Sequence, residues 1–299
     1  MRIFFMLLLL TPQMALAQIA EYLDDIRVNG KTKVTPEYLW KTTDVVALTE
    51  QLNTYAHDSV TDVADEAYNI VALAGRNSDN TVGRQAAVHF LAGGLNNGSS
   101  RIVSNNIGRL RHFGKTDVDT TAQRLIEERL NKWNAIYYEQ VAKMAAKLGV
   151  GYEQILSRQM MDKDADVEIT WAMHLAMARL GEQRDIDFVA RRATSIPYEY
   201  VEDIMRLIIP ELIYTRQKPC IDVCVKILQD DGCKCASGNP NVDAKILCGY
   251  RIMELLAPAV KGFPYAASAT GMIETDDYEE ALRVVRKWFA DNPNYEVIE

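Results

Sequence analysis

The 299-residue sequence has no cysteine outside the stretch from Cys220 to Cys248, where all five are gathered. It has no excess of basic charge: 33 Lys and Arg stand against 41 Asp and Glu, a net charge of −8 at pH 7. Polyanionic backbones attract basic stripes, so a nucleic-acid partner is excluded as an expectation. No apolar run reaches the ~20 residues that a membrane span needs. The longest later stretch, Ile204–Tyr214, is broken by Arg206 and Glu211. Catalytic signatures are missing as well. The four histidines, His57, His89, His112 and His174, never pair at helical spacing, and no His-Glu-x-x-His or Gly-x-Ser-x-Gly occurs. Each histidine reads as a surface or packed residue. An enzyme with a dispersed site has no support in the sequence, although no fold class excludes one.

The N-terminus does carry a pattern. Arg2 supplies a positive charge, Ile3–Leu10 an apolar core, and Ala15-Leu16-Ala17 a small-x-small site before Gln18. This predicts a secretory signal peptide over residues 1–17, cleaved between Ala17 and Gln18. No cysteine lies there to hold a lipid anchor. The expected product is exported, periplasmic or secreted, with no membrane span after cleavage. Residues 18–35 are polar and are expected to form a loose lead-in.

From Pro36 onward one pattern dominates. Segments of helical length carry apolar residues three and four apart, separated by short breaks rich in Asp, Asn, Gly and Pro. In the segment after Asp58, residues Val60, Val63, Ala64, Ala67, Ile70, Val71 and Ala74 share one face. Asp58 stands where an N-cap belongs and Gly75 where a helix stops. Comparable helices are predicted at 80–95, 99–113, 116–133, 134–148, 151–161, 166–180, 184–195, 198–216, 219–230, 241–256 and 276–290. No period-two alternation marks a strand, so the chain is expected to be all-α.

Helix starts near Asp58 and Ser99, with another helix between them, fit a helix pair repeating every ~40–47 residues. Two stretches carry a closer likeness. In Asn77–Leu95, residues Asp79, Val82, Arg84, Ala86, Ala87 and Leu91 fall on an Asp-x-x-Val-x-Arg-x-Ala-Ala helix. In Asp164–Ala193, a small-residue helix ends at Leu180-Gly181 before a second begins near Ile186; Glu168 stands where an Arg is usual. Both resemble the HEAT and armadillo repeat family. The resemblance implies a HEAT-like α-solenoid of antiparallel helix pairs over residues 36–299, presenting a curved binding surface without obligatory chemistry. The expected partner is a protein or peptide, and an acidic surface favours a basic one. No cofactor is implied.

Other motifs dissolve on inspection. Gly108–Thr116 has five residues between its glycines where a phosphate loop needs four, and a helix rather than a strand before it. The alternating aspartates of Asp162–Glu168 lack the Gly and Glu of a calcium loop and read as a helix start. Glu274–Glu280 is an acidic first turn that suits the helix dipole. Met160, Met161, Met173 and Met177 read as core filler. Tyr137, Tyr138, Tyr198 and Tyr200 read as half-buried between helices, with some tips at the surface.

The cysteines are expected on a helix, a loop and a helix. In an oxidising compartment they tend to pair. Cys220 lies roughly 15 Å from the helix end at Asp230, too far for a loop cysteine when Cα atoms must approach within about 7 Å. The expected pairs are Cys224–Cys233 and Cys235–Cys248, or the crossed set, with Cys220 left as a free thiol. A thiol-based redox or metal-binding centre over Cys220–Cys248 is the alternative reading.

Overall fold

A computed structural model of the chain describes residues 12–31, 34–41, 44–197, 200–237, 244–268 and 270–299, with side chains from Ala17 onward. The chain is all-α in character, 66% helix and 4% strand. It packs as two compact units, Met1–Arg158 and Gln159–Glu299, where the sequence suggested one repeat domain over 36–299.

The first unit contains α1 (Pro12–Asn29), α2 (Val45–Leu52), α3 (Thr61–Arg76), α4 (Thr81–Gly93), α5 (Ser100–Leu110), α6 (Thr120–Leu130) and α7 (Tyr138–Lys147). Short polar side chains set the starts of several. Asp44 Oδ1 accepts from Ala47 N, Asn80 Oδ1 from Val82 N and Asp119 Oδ1 from Ala122 N, satisfying donors that a helix N-terminus leaves open. The helices form two layers. α1, α3, α5 and α7 touch in that order, α2, α4 and α6 touch in that order, and the α2–α3, α3–α4, α4–α5 and α6–α7 contacts join the layers. The predicted stripe of α3 is buried from Val63 to Ala74, whereas Val60 stands outside the helix as its N-cap and is half-buried.

Three expectations need correction here. The lead-in is not loose. Residues 18–29 belong to α1, whose Ile19, Leu23 and Ile26 are buried, with α3 against the helix. Their spacing of four and three is a helical stripe that polar neighbours hid. Gly75 does not end its helix, which runs on to Arg76. A Cβ at Gly75 would lie 2.3 Å from the Ala87 Cβ, so the glycine lets α3 and α4 approach closely. Asp58 is likewise two residues short of the N-cap at Val60, whose N–H its Oδ1 accepts.

The second unit contains α9 (Val167–Arg179), α10 (Gln183–Thr194), α11 (Val201–Asp203), a π-helical stretch (Ile204–Ile208), α12 (Ile209–Thr215), α13 (Lys218–Leu228), strands β1 (Lys234–Ala236) and β2 (Lys245–Leu247), α14 (Cys248–Leu256) and α15 (Tyr278–Asp291). The preceding α8 (Tyr152–Met161) contains the division between the units. α9 packs on α12 and α12 on α14, while α10 packs on α13. The sequence suggested one helix over 198–216. Pro210 offers no N–H to the preceding turn and its ring crowds a carbonyl there, and the backbone widens into the π-helical stretch just before it. Tyr198 lies outside the described residues. α15 starts two residues later than expected, capped by Asp277 through Glu280 N at 3.0 Å, so of the acidic run only Glu279 and Glu280 lie in its first turn.

The short hairpin of β1 and β2 departs from the all-helical expectation. It occupies residues that read as a loop and as the start of the 241–256 helix, which begins only at Cys248. Met160 and Met161 are exposed rather than core, whereas Met173 and Met177 are fully buried. Tyr138 is buried under the Arg158 guanidinium, 3.7 Å from its ring centre, while Tyr137 is half-buried and Tyr200 exposed. No helix among the described residues is long and apolar enough to cross a membrane.

Candidate functional site

The hairpin decides where the cysteines go. After α13, Asp230 Oδ1 accepts from Gly232 N and turns the chain. β1 then pairs antiparallel with β2 in the register Lys234–Leu247, Cys235–Ile246 and Ala236–Lys245. The ladder extends one step further, with Cys248 N donating to Cys233 O at 3.0 Å. Cys233 therefore stands opposite Cys248, and Cys235, two residues along the same strand, shares its face. Lys234 and Ala236 point the other way and are exposed, while Cys233, Cys235 and Cys248 are buried.

Three thiols thus converge, and their hydrogen bonds run through Cys248, which meets both Cys235 and Cys233. The Cys248 thiol donates to Cys235, and this bond, with burial, holds its proton tightly and pushes its pKa up. Cys235 moves the other way. The bond from Cys248 and then the Arg251 guanidinium favour its thiolate against the cost of burial. Burial pushes the Cys233 thiol up. Arg251 sits one helical turn beyond Cys248 and is itself oriented by Glu202, with Nη1 3.8 Å from Oε2. The other Glu202 oxygen accepts from Ala236 N at 2.6 Å, so one carboxylate ties the strand and the arginine together.

Cys220 and Cys224 form a separate pair on α13. Each thiol donates to a backbone carbonyl, Cys220 to Ile186 O at 3.9 Å and Cys224 to Cys220 O at 3.7 Å. Both are fully buried, and burial pushes both thiols up. All five cysteines are free thiols in this structure, and no two stand at disulfide distance. Of the expected pairs, Cys235 with Cys248 and, from the crossed set, Cys233 with Cys248 come together. Cys224 instead keeps company with Cys220 and the Tyr295 hydroxyl. The reason is the strand at 245–247: it places Cys248 across from Cys233, at the Leu228 end of α13. Among the described residues, no group of three or more His, Cys, Asp or Glu side chains has the geometry to hold a metal ion.

One polar cluster escaped the sequence. His174 Nδ1 lies 2.5 Å from Oδ1 of the fully buried Asp185, across the tight α9–α10 turn at Gly181. Gln159 Nε2 donates to the same Asp185 oxygen at 2.8 Å, and Arg184 Nη2 to the other at 3.0 Å. Burial works against the charged carboxylate, but these three partners outweigh it and hold Asp185 below the usual carboxylate range. Phe188 stacks on the imidazole at 3.9 Å between ring centres. The arrangement explains His174 as a packed residue; the remaining histidines are exposed.

The first unit holds an open cavity of about 600 Å³, whose walls include Glu50, Asn53, His57, Tyr68, His89 and Phe90. Its lining includes a carboxylate, an amide and aromatic rings.

No protein-family model matches the chain, and comparison with characterised proteins finds no relative.

Proposed function

We propose that this chain is an exported, HEAT-like helical-repeat scaffold that binds another protein or peptide and has no catalytic activity of its own. The observation that carries the reading is the alternate packing of helices in the first unit, odd on odd and even on even, which is how stacked helix pairs bury a continuous core. The Asn77–Leu95 likeness adds to it. Arg84 reaches forward to Asp117, with Nε to Oδ1 at 2.8 Å and Nη2 to Oδ2 at 2.7 Å, and so ties its helix to the turn before α6. Ala87 and Leu91 are buried as such a helix requires, although Val82 is 59% exposed. Export rests on the residue 1–17 pattern, whose first eleven residues lie outside the described ones.

The partner that suits a chain of net charge −8 is basic. The cavity beside Glu50 suits a lysine or arginine side chain, with the carboxylate for its head and Tyr68 and Phe90 for its stem. The test is a titration of Lys/Arg-rich and Asp/Glu-rich peptides of equal length. Selective binding of the basic set, weakened by salt and at least tenfold by Glu50→Lys, is expected. Equal binding of both sets, or of neither, would overturn the reading.

The second reading is a thiol-based protein, and the meeting of Cys233, Cys235 and Cys248 favours it. It requires thiols that react in the folded state, read by alkylation of non-reduced protein. Five inert thiols, or thiols locked permanently into a bond, would remove it.

A further inference from the structure

We propose that Cys233, Cys235 and Cys248 form a disulfide-exchange site in which Cys248 bonds one of the two hairpin thiols at a time. The inference rests on the thiol reading of this cluster and is independent of peptide binding.

The geometry points to Cys248 as the shared partner. Cys233 faces it directly across the ladder, one backbone hydrogen bond away. Residues so placed have Cα atoms about 5.5 Å apart, within the span of a disulfide. Cys235 reaches it diagonally, and the Cys235–Cys248 thiol contact is the strongest influence on either sulfur. Cys233 and Cys235, separated by one residue, would close a strained ring with each other. Cys220 and Cys224 lie on α13 with thiols committed to carbonyls, so they stand outside the exchange.

The chemistry balances with a small-molecule disulfide as oxidant. The Cys235 thiolate, stabilised by Arg251, attacks one sulfur of the reagent and expels the other as a thiolate. Cys248 gives up its proton to solvent and attacks the Cys235 sulfur of that mixed disulfide. This closes Cys235–Cys248 and releases the second reagent thiolate. Two protein thiols are oxidised by two electrons, and the reagent is reduced to two thiols. The exchange then needs no oxidant. Cys233, once deprotonated, attacks the Cys248 sulfur, forms Cys233–Cys248 and expels Cys235 as its thiolate. Arg251 favours that outcome, because it stabilises the group that leaves.

The site would make hairpin closure dependent on thiol poise. Either bond fastens β1 to the start of α14, next to the Glu202 link to Ala236 N. Only one bond forms among three thiols, so the oxidised chain loses two hydrogens. The pairing of four cysteines expected from sequence would remove four.

The experiment uses the full exported chain equilibrated with oxidised and reduced glutathione, quenched in acid to stop exchange, and mapped by mass spectrometry. The expected result is one bond per chain, found as Cys233–Cys248 in some molecules and Cys235–Cys248 in others. Cys233→Ser should leave only the second linkage and Cys235→Ser only the first. Arg251→Gln should shift the wild-type mixture several-fold toward Cys235–Cys248. Three outcomes on wild-type protein overturn the proposal: five thiols under oxidising ratios, a bond to Cys220 or Cys224, or a single linkage that never exchanges. None of these touches the peptide titration, so the two readings fail separately.

Discussion

Arg84 and Asp117 show how a single pair links sequence pattern to stability. The carboxylate is 4% exposed, accepts both guanidinium bonds and also takes Gly114 N at 2.8 Å. The Arg84 bonds, and then Gly114 N, hold Asp117 below its usual range against the cost of burial. Breaking one partner of a buried pair costs about 3 kcal/mol, and the partial exposure of Arg84 puts Asp117→Asn near that figure. The sign of the pH effect follows. A carboxylate with a depressed folded pKa contributes fully above its unfolded value of about 4, and the contribution disappears as pH falls through the folded value. The wild-type urea midpoint should therefore drop more steeply below about pH 4 than that of Asp117→Asn. At Gly75, a methyl group would collide with Ala87, so Gly75→Ala should lose about 1–3 kcal/mol despite better helix propensity, read by thermal or urea unfolding. Arg216 is the opposite case. It ends α12 in the left-handed region at φ 54, and its Nη1 is buried with no hydrogen-bond partner among the described residues. Arg216→Gly should raise stability by about 1 kcal/mol, read as a higher Tm. A lower Tm would show that the guanidinium holds a partner.

At the scale of elements, α1 matters most because sequence pointed elsewhere. Leu23 is fully buried and α1 lies against α3, so Leu23→Ala should cost about 2–5 kcal/mol. A loose lead-in would lose nothing, so a urea titration of this one variant separates the two descriptions. Long helices with a wide apolar stripe, such as α3 and α10, were legible because their period is repeated over several turns. The π-helical stretch was not, because the apolar period runs on through Pro210 and only the ladder shows that its missing donor matters. β1 and β2 are three residues each, too short for alternation to register, and they alone rearrange the thiols. The CKC spacing was visible in sequence; that its two thiols share a face with Cys248 depends on the strand register.

For the whole molecule, the division into two compact units predicts that damage stays local. Calorimetry should show Leu23→Ala lowering a transition belonging to Met1–Arg158 while the transition of Gln159–Glu299 keeps its midpoint. A single shared transition moving as one would contradict independent cores. The sequence by itself determined the helical class and the buried face of α3, because these depend on neighbours three or four residues apart. Contacts between distant segments were decided only by tertiary structure. Asp117 lies 33 residues from Arg84 and Asp185 lies 11 from His174. Cys248 meets Cys233 only after β1 and β2 pair. Helical period fixes which face of a segment is apolar. It does not fix which other segment covers that face, and that choice brought three thiols together and left two apart.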